Sequence, residues 1–159
     1  MQIDRIYYPV KTLGYGKRMG IWTIGCKRKC VNCSNPELWE ENPGKDISIE
    51  TITGIIEKYK DKTDGVTITG GEPFLQPEEL LSLVEKIRKI GIDDILIYTG
   101  FSFEELYENP LAKKIIDNTF FYPPAKHSYR SSICGRACDR ACYVHLEEKG
   151  VLTKKIKSP

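Results

Sequence analysis

Apolar and polar residues follow two different rhythms along this chain. Short apolar or β-branched runs of strand length stand at Ile3–Val10, Met19–Ile24, Val66–Thr69 and Asp94–Thr99. The last three close on a glycine, at Gly25, Gly70 and Gly100. Between them the apolar positions change to helical spacing. Ile49, Ile52, Ile55, Ile56 and Tyr59 share one face behind Ser48, which predicts a capped helix to about Tyr59 with Glu50 in its first turn. Leu80, Leu81, Val84, Ile87 and Ile90 form a second stripe, on a helix that opens at Pro77 and stops at Gly91. Both stripes are expected to be core. On the outer side of the second helix, Glu85 and Lys89 form an i,i+4 pair worth roughly 0.3 kcal/mol. Ser102-Phe103-Glu104-Glu105 has the form of a capping box. It starts a short helix broken near Asn109-Pro110, with a further turn or two over Leu111–Asp117 and another strand at Thr119–Tyr122. Asn42-Pro43-Gly44 and Asp64-Gly65 are turn signals.

Strands alternating with amphipathic helices predict βαβ units, right-handed crossovers and a mainly parallel sheet, an α/β fold. A chain of 159 residues is one domain by length. It is too small for a full eight-stranded barrel, so four or five strands would make an open partial (β/α) barrel. Composition changes this picture little. With 40% apolar and 29% charged residues the chain is that of a soluble globular protein. A net charge of +2 gives no argument for nucleic acid or a charged membrane surface as partner. No apolar run approaches the ~18 residues of a membrane span, and the polar start Met1-Gln2-Ile3-Asp4-Arg5 is no signal peptide. Six cysteines without a secretion signal point to the reducing cytoplasm and to metal ligation before disulfides.

The chemistry gathers in Gly25-Cys26-Lys27-Arg28-Lys29-Cys30-Val31-Asn32-Cys33, which reads Cys-x3-Cys-x2-Cys with no fourth cysteine at short range. A cubane iron–sulfur cluster normally takes four thiolates, and a structural zinc closes its shell with four ligands. Three thiolates leave one metal position for a small molecule. The run Met19–Ile24 delivers the chain into this loop, where α/β folds place their reactive sites. Lys27, Arg28 and Lys29 are either a solvated basic loop or cations that lower the thiol pKa values and offset the charge of a thiolate-bound cluster. The second chemical segment, Gly70-Gly71-Glu72-Pro73, follows the strand Val66–Thr69. Its glycines would let another molecule approach the backbone, and its bland alternative is a structural turn. Leu13-Gly14-Tyr15-Gly16-Lys17-Arg18 is a glycine turn, with no helix following that would make it a phosphate loop.

Cys26, Cys30 and Cys33 followed by Gly70-Gly71-Glu72-Pro73 resemble the radical S-adenosylmethionine (SAM) superfamily. The continuation Cys33-Ser34-Asn35-Pro36-Glu37-Leu38-Trp39 and the later Tyr98-Thr99-Gly100 are similar to the activating enzymes of anaerobic ribonucleotide reductase and their small single-cluster relatives. The resemblance runs over about residues 1–119. Gly14, Gly16 and Arg18 match a family pattern in which Tyr15 replaces a proline, and Asn32 stands where many members have an aromatic residue. The resemblance implies a radical SAM type of open barrel in which Cys26, Cys30 and Cys33 hold a [4Fe-4S] cluster. Its unligated iron would chelate SAM. Gly70, Gly71, Glu72 and Pro73 would bind the SAM amino group, and Thr99 would line the pocket. One electron from a flavodoxin- or ferredoxin-like donor would cleave SAM to methionine and a 5′-deoxyadenosyl radical, with no protein acid–base pair. That radical would abstract hydrogen from a backbone glycine of a glycyl radical enzyme, such as anaerobic ribonucleotide reductase. Two alternatives stay open. One is a small radical SAM enzyme acting on a metabolite or peptide precursor, as in queuosine biosynthesis; the other is a non-catalytic iron–sulfur or zinc module.

The resemblance divides the chain into a core over residues 1–122 and a divergent tail over 123–159, either part of the same domain or appended. The Asn-Gln ending usual in the activators is missing, and Arg130-Ser131-Ser132 is at best a remnant of it. Cys134, Cys138 and Cys142 follow with His145 close behind. Spaced by four, they would fall on one face of a helix. On a straight helix the outer two are about 12 Å apart, too far to share one ion at thiolate bonds of about 2.3 Å. Packed or free cysteines are expected there, with an auxiliary metal site or disulfides as the alternatives.

Overall fold

The computed structural model describes residues 1–117 and the backbone of 142–146. Five strands form one sheet in sequence order: β1 (Ile3–Val10), β2 (Arg18–Thr23), β3 (Gly65–Gly70), β4 (Ile95–Thr99) and β5 (Cys142–Leu146). The centre is parallel, β2 on β3 and β3 on β4. Both edges are antiparallel, β1 on β2 and β5 on β4. The expectation of a mainly parallel sheet therefore holds for the middle of a mixed α/β sheet and not for its edges. The connection from β1 to β2 contains no helix, and a parallel return needs a crossover long enough to pass over the sheet.

The helices are α1 (Ile49–Glu57), α2 (Pro77–Lys89), α3 (Phe103–Glu108) and α4 (Pro110–Asp117). Ser48 caps α1 by accepting from Thr51 N–H, and Ser102 and Glu105 form the reciprocal capping box of α3. The break between α3 and α4 falls at Asn109, whose side-chain oxygen accepts from Leu111 and Ala112 N–H. Alternation sends Met19, Ile21, Val66, Ile68, Ile95 and Ile97 to one face of the sheet, where they join Ile52, Ile56, Leu80, Val84 and Ile87 of the helices in one buried cluster. Leu83 is equally buried, because α2 packs on both α1 and α4 and so buries a wider face than the stripe predicted. Tyr59 is a correction to the predicted core. It is 37% exposed and stacks on Tyr8 with ring centroids 4.9 Å apart. Glu85 also departs from its predicted role, meeting Lys114 of α4 at 3.8 Å.

The end of the sheet at which the parallel strands start is closed by Arg18, 1% exposed at the start of β2. Its Nε donates to Thr67 Oγ1 at 2.6 Å. Its two terminal nitrogens reach the Asp94 carboxylate as a fork, each at 2.9 Å, and one also donates to the Val66 carbonyl. Gly14 and Gly65 are small for this reason: a Cβ on either would lie 2.8 Å from the Arg18 side chain. The Gly14-x-Gly16 turn is thus a seat for Arg18. The strand predicted at Thr119–Tyr122 lies outside the described residues.

Arg18→Met is expected to lower stability by roughly 2–3 kcal/mol, because it takes a donor from the buried Thr67 hydroxyl and Val66 carbonyl oxygens. Urea unfolding of the metal-free protein checks this, and a loss below about 1 kcal/mol, the range of exposed pairs, would contradict it.

Candidate metal centre

The parallel register puts three chain exits at one end of the sheet. Thr23 of β2 stands beside Gly70 of β3, and the Ile68–Ile97 pairing brings the end of β4 level with them. The cysteine loop, the Gly70–Pro73 segment and Thr99-Gly100 leave from those three strands, at the carboxyl ends where α/β sheets carry their sites.

Gly25 turns the chain out of β2 with φ +95°. Its N–H donates to the Leu38 carbonyl, and Cys26 N–H donates to the Trp39 carbonyl, both at 2.9 Å. The cysteine loop is therefore pinned at its start by the segment that follows it, in which Leu38 is 2% exposed. Lys29 and Asn32 sit at positive φ, 44° and 62°. Asn enters that region more readily than an aromatic residue, which accounts for Asn32 before the third cysteine. Cys26, Cys30 and Cys33 are half-buried and form no disulfide among the described residues.

The glycine segment is built against this loop. Gly71 N–H donates to the Thr23 carbonyl and Glu72 N–H to the Gly25 carbonyl, each at 2.8 Å. A Cβ on Gly71 would lie 2.5 Å from the Gly25 oxygen, and one on Gly70, at φ +107°, 2.5 Å from Thr23 N. The two glycines thus admit the chain's own backbone at these points, and the requirement is met before any ligand enters.

Glu72 is 2% exposed. The Thr99 hydroxyl donates to its Oε1 at 2.8 Å, Phe74 N–H to the same oxygen at 3.1 Å, and Gly100 N–H to Oε2 at 2.7 Å. A carboxylate has about four acceptor positions, so three protein donors leave room for one more. Burial raises the Glu72 pKa above its ordinary 4.5; the Gly100, Thr99 and Phe74 donors and the Arg28 charge act against that rise. Pro73 opens a short 3-10 turn over Pro73–Leu75 and is buried. Thr99, expected to line a pocket, is 6% exposed and orients Glu72.

The three basic residues of the loop have separate fates. Lys27 is exposed, and Lys29 pairs with Glu40 on the surface at 2.7 Å. Arg28 turns inward, which nothing in the sequence signals. Its guanidinium meets Glu105 at 2.6 Å and lies 4.7 Å from the Phe101 ring centroid. Two buried donors here, Arg28 Nε and Trp39 Nε1, have no hydrogen-bond partner among the described residues.

Among the described residues, no three Cys, His, Asp or Glu side chains converge tightly enough to hold one metal ion. Ligands of a single zinc must crowd about 2.3 Å from it. A cubane cluster spreads its thiolates over separate irons, so three cysteines spaced along one loop fit a cluster better than a lone ion.

The model of the 4Fe-4S single cluster domain matches residues 12–121, spanning all three exits. The chain belongs to that family. Proteins similar to this chain include activating enzymes. The anaerobic ribonucleoside-triphosphate reductase-activating protein of Enterobacteria phage T4 is 29% identical over 119 residues, which is 72% of this chain and 76% of the phage protein. The pyruvate formate-lyase-activating enzyme of Clostridium pasteurianum is 31% identical over 111 residues, 65% of this chain and 46% of that enzyme. Its counterpart in Staphylococcus aureus is 33% identical over 88 residues, 52% and 35% respectively. The 4Fe-4S match ends at residue 121 and so omits the tail cysteines. Cys134 and Cys138 lie outside the described residues. The strand Cys142–Leu146 corrects the idea that Cys142 continues a helical row. Its pairing with the open edge of β4 suits the aromatic and β-branched run Tyr143-Val144. No helix among the described residues is long and apolar enough to cross a membrane.

A pH prediction follows from Glu72. Its raised pKa makes the contribution of Glu72 to folding stability greatest below the ordinary value of 4.5, and that contribution is lost as pH rises through the folded-state pKa. In the metal-free protein, Glu72→Gln is expected to flatten the decline, read from urea midpoints between about pH 4 and about pH 8. Parallel profiles for the two proteins would contradict it.

Proposed function

We propose that this chain is a radical SAM enzyme of the glycyl-radical-enzyme activating type, with Cys26, Cys30 and Cys33 as the three protein ligands of a [4Fe-4S] cluster. The observation that carries the proposal is the juxtaposition at the strand exits. The loop bearing the three thiols is bonded through Gly25 to Gly71 and Glu72, and Glu72 is bonded to Thr99 and Gly100. A ligand bound beside the thiols would meet those backbone and carboxylate groups at once. Cys26, Cys30 and Cys33 would hold the cluster, which, once reduced by an outside one-electron donor, would supply the chemistry of reductive SAM cleavage to methionine and a 5′-deoxyadenosyl radical.

The chain's own residues bind and orient. The fourth acceptor position of Glu72 and the backbone around Gly70 and Gly71 would receive the SAM ammonium, with Thr99 and Gly100 holding the carboxylate in place. Pro73 fixes the turn that carries Glu72. No protein acid or base is required, since homolysis moves no proton. The sheet would curl as an open partial (β/α) barrel around this end, within a core of residues 1–122. A protein substrate is the better fit: a glycyl radical enzyme such as anaerobic ribonucleotide reductase, with the electron coming from a flavodoxin- or ferredoxin-like donor. The names of the phage and bacterial relatives support that partner class.

The assay is anaerobic reconstitution followed by dithionite and SAM. The wild type is expected to release 5′-deoxyadenosine and to raise a glycyl radical signal by electron paramagnetic resonance when a reductase partner is added. Cys30→Ala should abolish the release, whereas Cys138→Ala should keep most of it. Turnover retained in Cys30→Ala would sink the ligand assignment. Deoxyadenosine without a glycyl radical on any candidate reductase would favour the metabolite-acting alternative.

A further inference from the structure

Arg28 stands between two of the three thiols, yet its side chain leaves the loop and engages the exit of β4. Three contacts and one electrostatic influence define that engagement. Its terminal nitrogen meets Glu105 Oε2 of α3 at 2.6 Å, and its guanidinium stacks 4.7 Å from the Phe101 ring centroid. Its Cδ lies where a Gly100 Cβ would approach to 2.7 Å, and its charge bears on Glu72. Glu105 Oε2 is the same oxygen that accepts from Ser102 N–H in the α3 capping box, so the anchor is itself fixed. The neighbours differ: Lys27 is exposed, and Lys29 reaches only the surface carboxylate of Glu40.

The contacts join parts of the chain otherwise far apart, since Arg28 and Glu105 are separated by 77 residues. The backbone pins at Gly25 and Cys26 secure only the start of the loop. Past them the segment passes through Asn32 at φ 62°, which Asn adopts readily, and Lys29 at φ 44°, which lysine keeps only when its surroundings enforce it. Arg28 supplies a side-chain restraint in this stretch. Planar stacking and a charge-assisted hydrogen bond both favour arginine over lysine for the role.

We propose that Arg28 is a positioning residue, a latch that clips the cysteine loop to Gly100, Phe101 and Glu105 and so sets Cys26 and Cys30 relative to Glu72. The latch extends the cluster assignment made above and rests on it for its purpose. Its mechanics belong to the metal-free chain and are testable there.

The experiment measures site-resolved alkylation of Cys26, Cys30 and Cys33 by iodoacetamide in the metal-free, reduced protein, using mass spectrometry, with circular dichroism to verify folding. Arg28→Gln is expected to speed alkylation of Cys30 about tenfold, as a loop that opens more often exposes its thiol more. Gly100→Ala keeps every charge but brings a methyl within 2.7 Å of Arg28 Cδ, so that the side chain must shift, and should reproduce the acceleration. Arg28→Lys should fall between wild type and Arg28→Gln. Lys29→Gln, which removes the same charge from the same loop, should leave the rate within about twofold, as expected for an exposed pair. Equal acceleration in Arg28→Gln and Lys29→Gln, with none in Gly100→Ala, would overturn the latch in favour of plain charge. Unchanged rates in a folded Arg28→Gln would overturn it as well. A reconstituted wild type that makes no 5′-deoxyadenosine would instead defeat the radical SAM assignment, with the alkylation rates still deciding the latch.

Discussion

Two backbone hydrogen bonds tie the end of β3 to the end of β2: Gly71 N–H to the Thr23 carbonyl and Glu72 N–H to the Gly25 carbonyl, each 2.8 Å long. Their net worth in stability is modest, about 1 kcal/mol apiece. Their consequence is geometric. They require a glycine at position 71, because any Cβ there would enter the Gly25 carbonyl, and they make the route of the cysteine loop depend on the route of the Gly70–Pro73 segment. Glu72 then passes the constraint to a third strand through Thr99 and Gly100. Three exits behave as one unit, and the buried carboxylate at the joint is the part that most resists substitution by an apolar residue, since it answers three donors at once.

The two ends of the sheet are built by different means. At one, Arg18 gathers Thr67, Val66 and Asp94 into a closed polar clamp with its fork of donors fully engaged. At the other, donors remain unspent at Arg28 Nε and Trp39 Nε1. Arg88 Nε and Nη2, in the last turn of α2, are also buried without a partner among the described residues, so such donors are not confined to the cysteine end. The clamp and the cysteine loop nonetheless fall at the ends that parallel strands in α/β proteins usually give to stability and to chemistry.

Much of this was legible in the chain itself. The opening strand, both long helices, the Ser48 cap, the Ser102–Glu105 capping box and the break at Asn109 rest on local chemistry, and each stands as the pattern predicts. What escaped were relations between distant segments. Nothing near Arg28 says that it reaches Glu105, nothing near Thr99 says that its hydroxyl serves Glu72, and the spacing of Cys134, Cys138 and Cys142 suggests helix where β4 recruits Cys142–Leu146 as a strand. The glycines of Gly70-Gly71 were legible as a demand for close approach, but the approaching group is the chain's own backbone. Local propensity is written in neighbouring residues; partners are chosen by the fold as a whole.

The central claim is that the trio Cys26, Cys30 and Cys33 leaves one iron of a cluster without a protein thiolate. Mössbauer spectroscopy of the anaerobically reconstituted protein, before and after SAM is added, tests it most directly. The account predicts about four irons per chain in a single cubane, with one iron site changing its parameters when SAM binds and the others unmoved. A spectrum indifferent to SAM, or a protein that takes up one zinc closed by four side chains in place of iron, would contradict it.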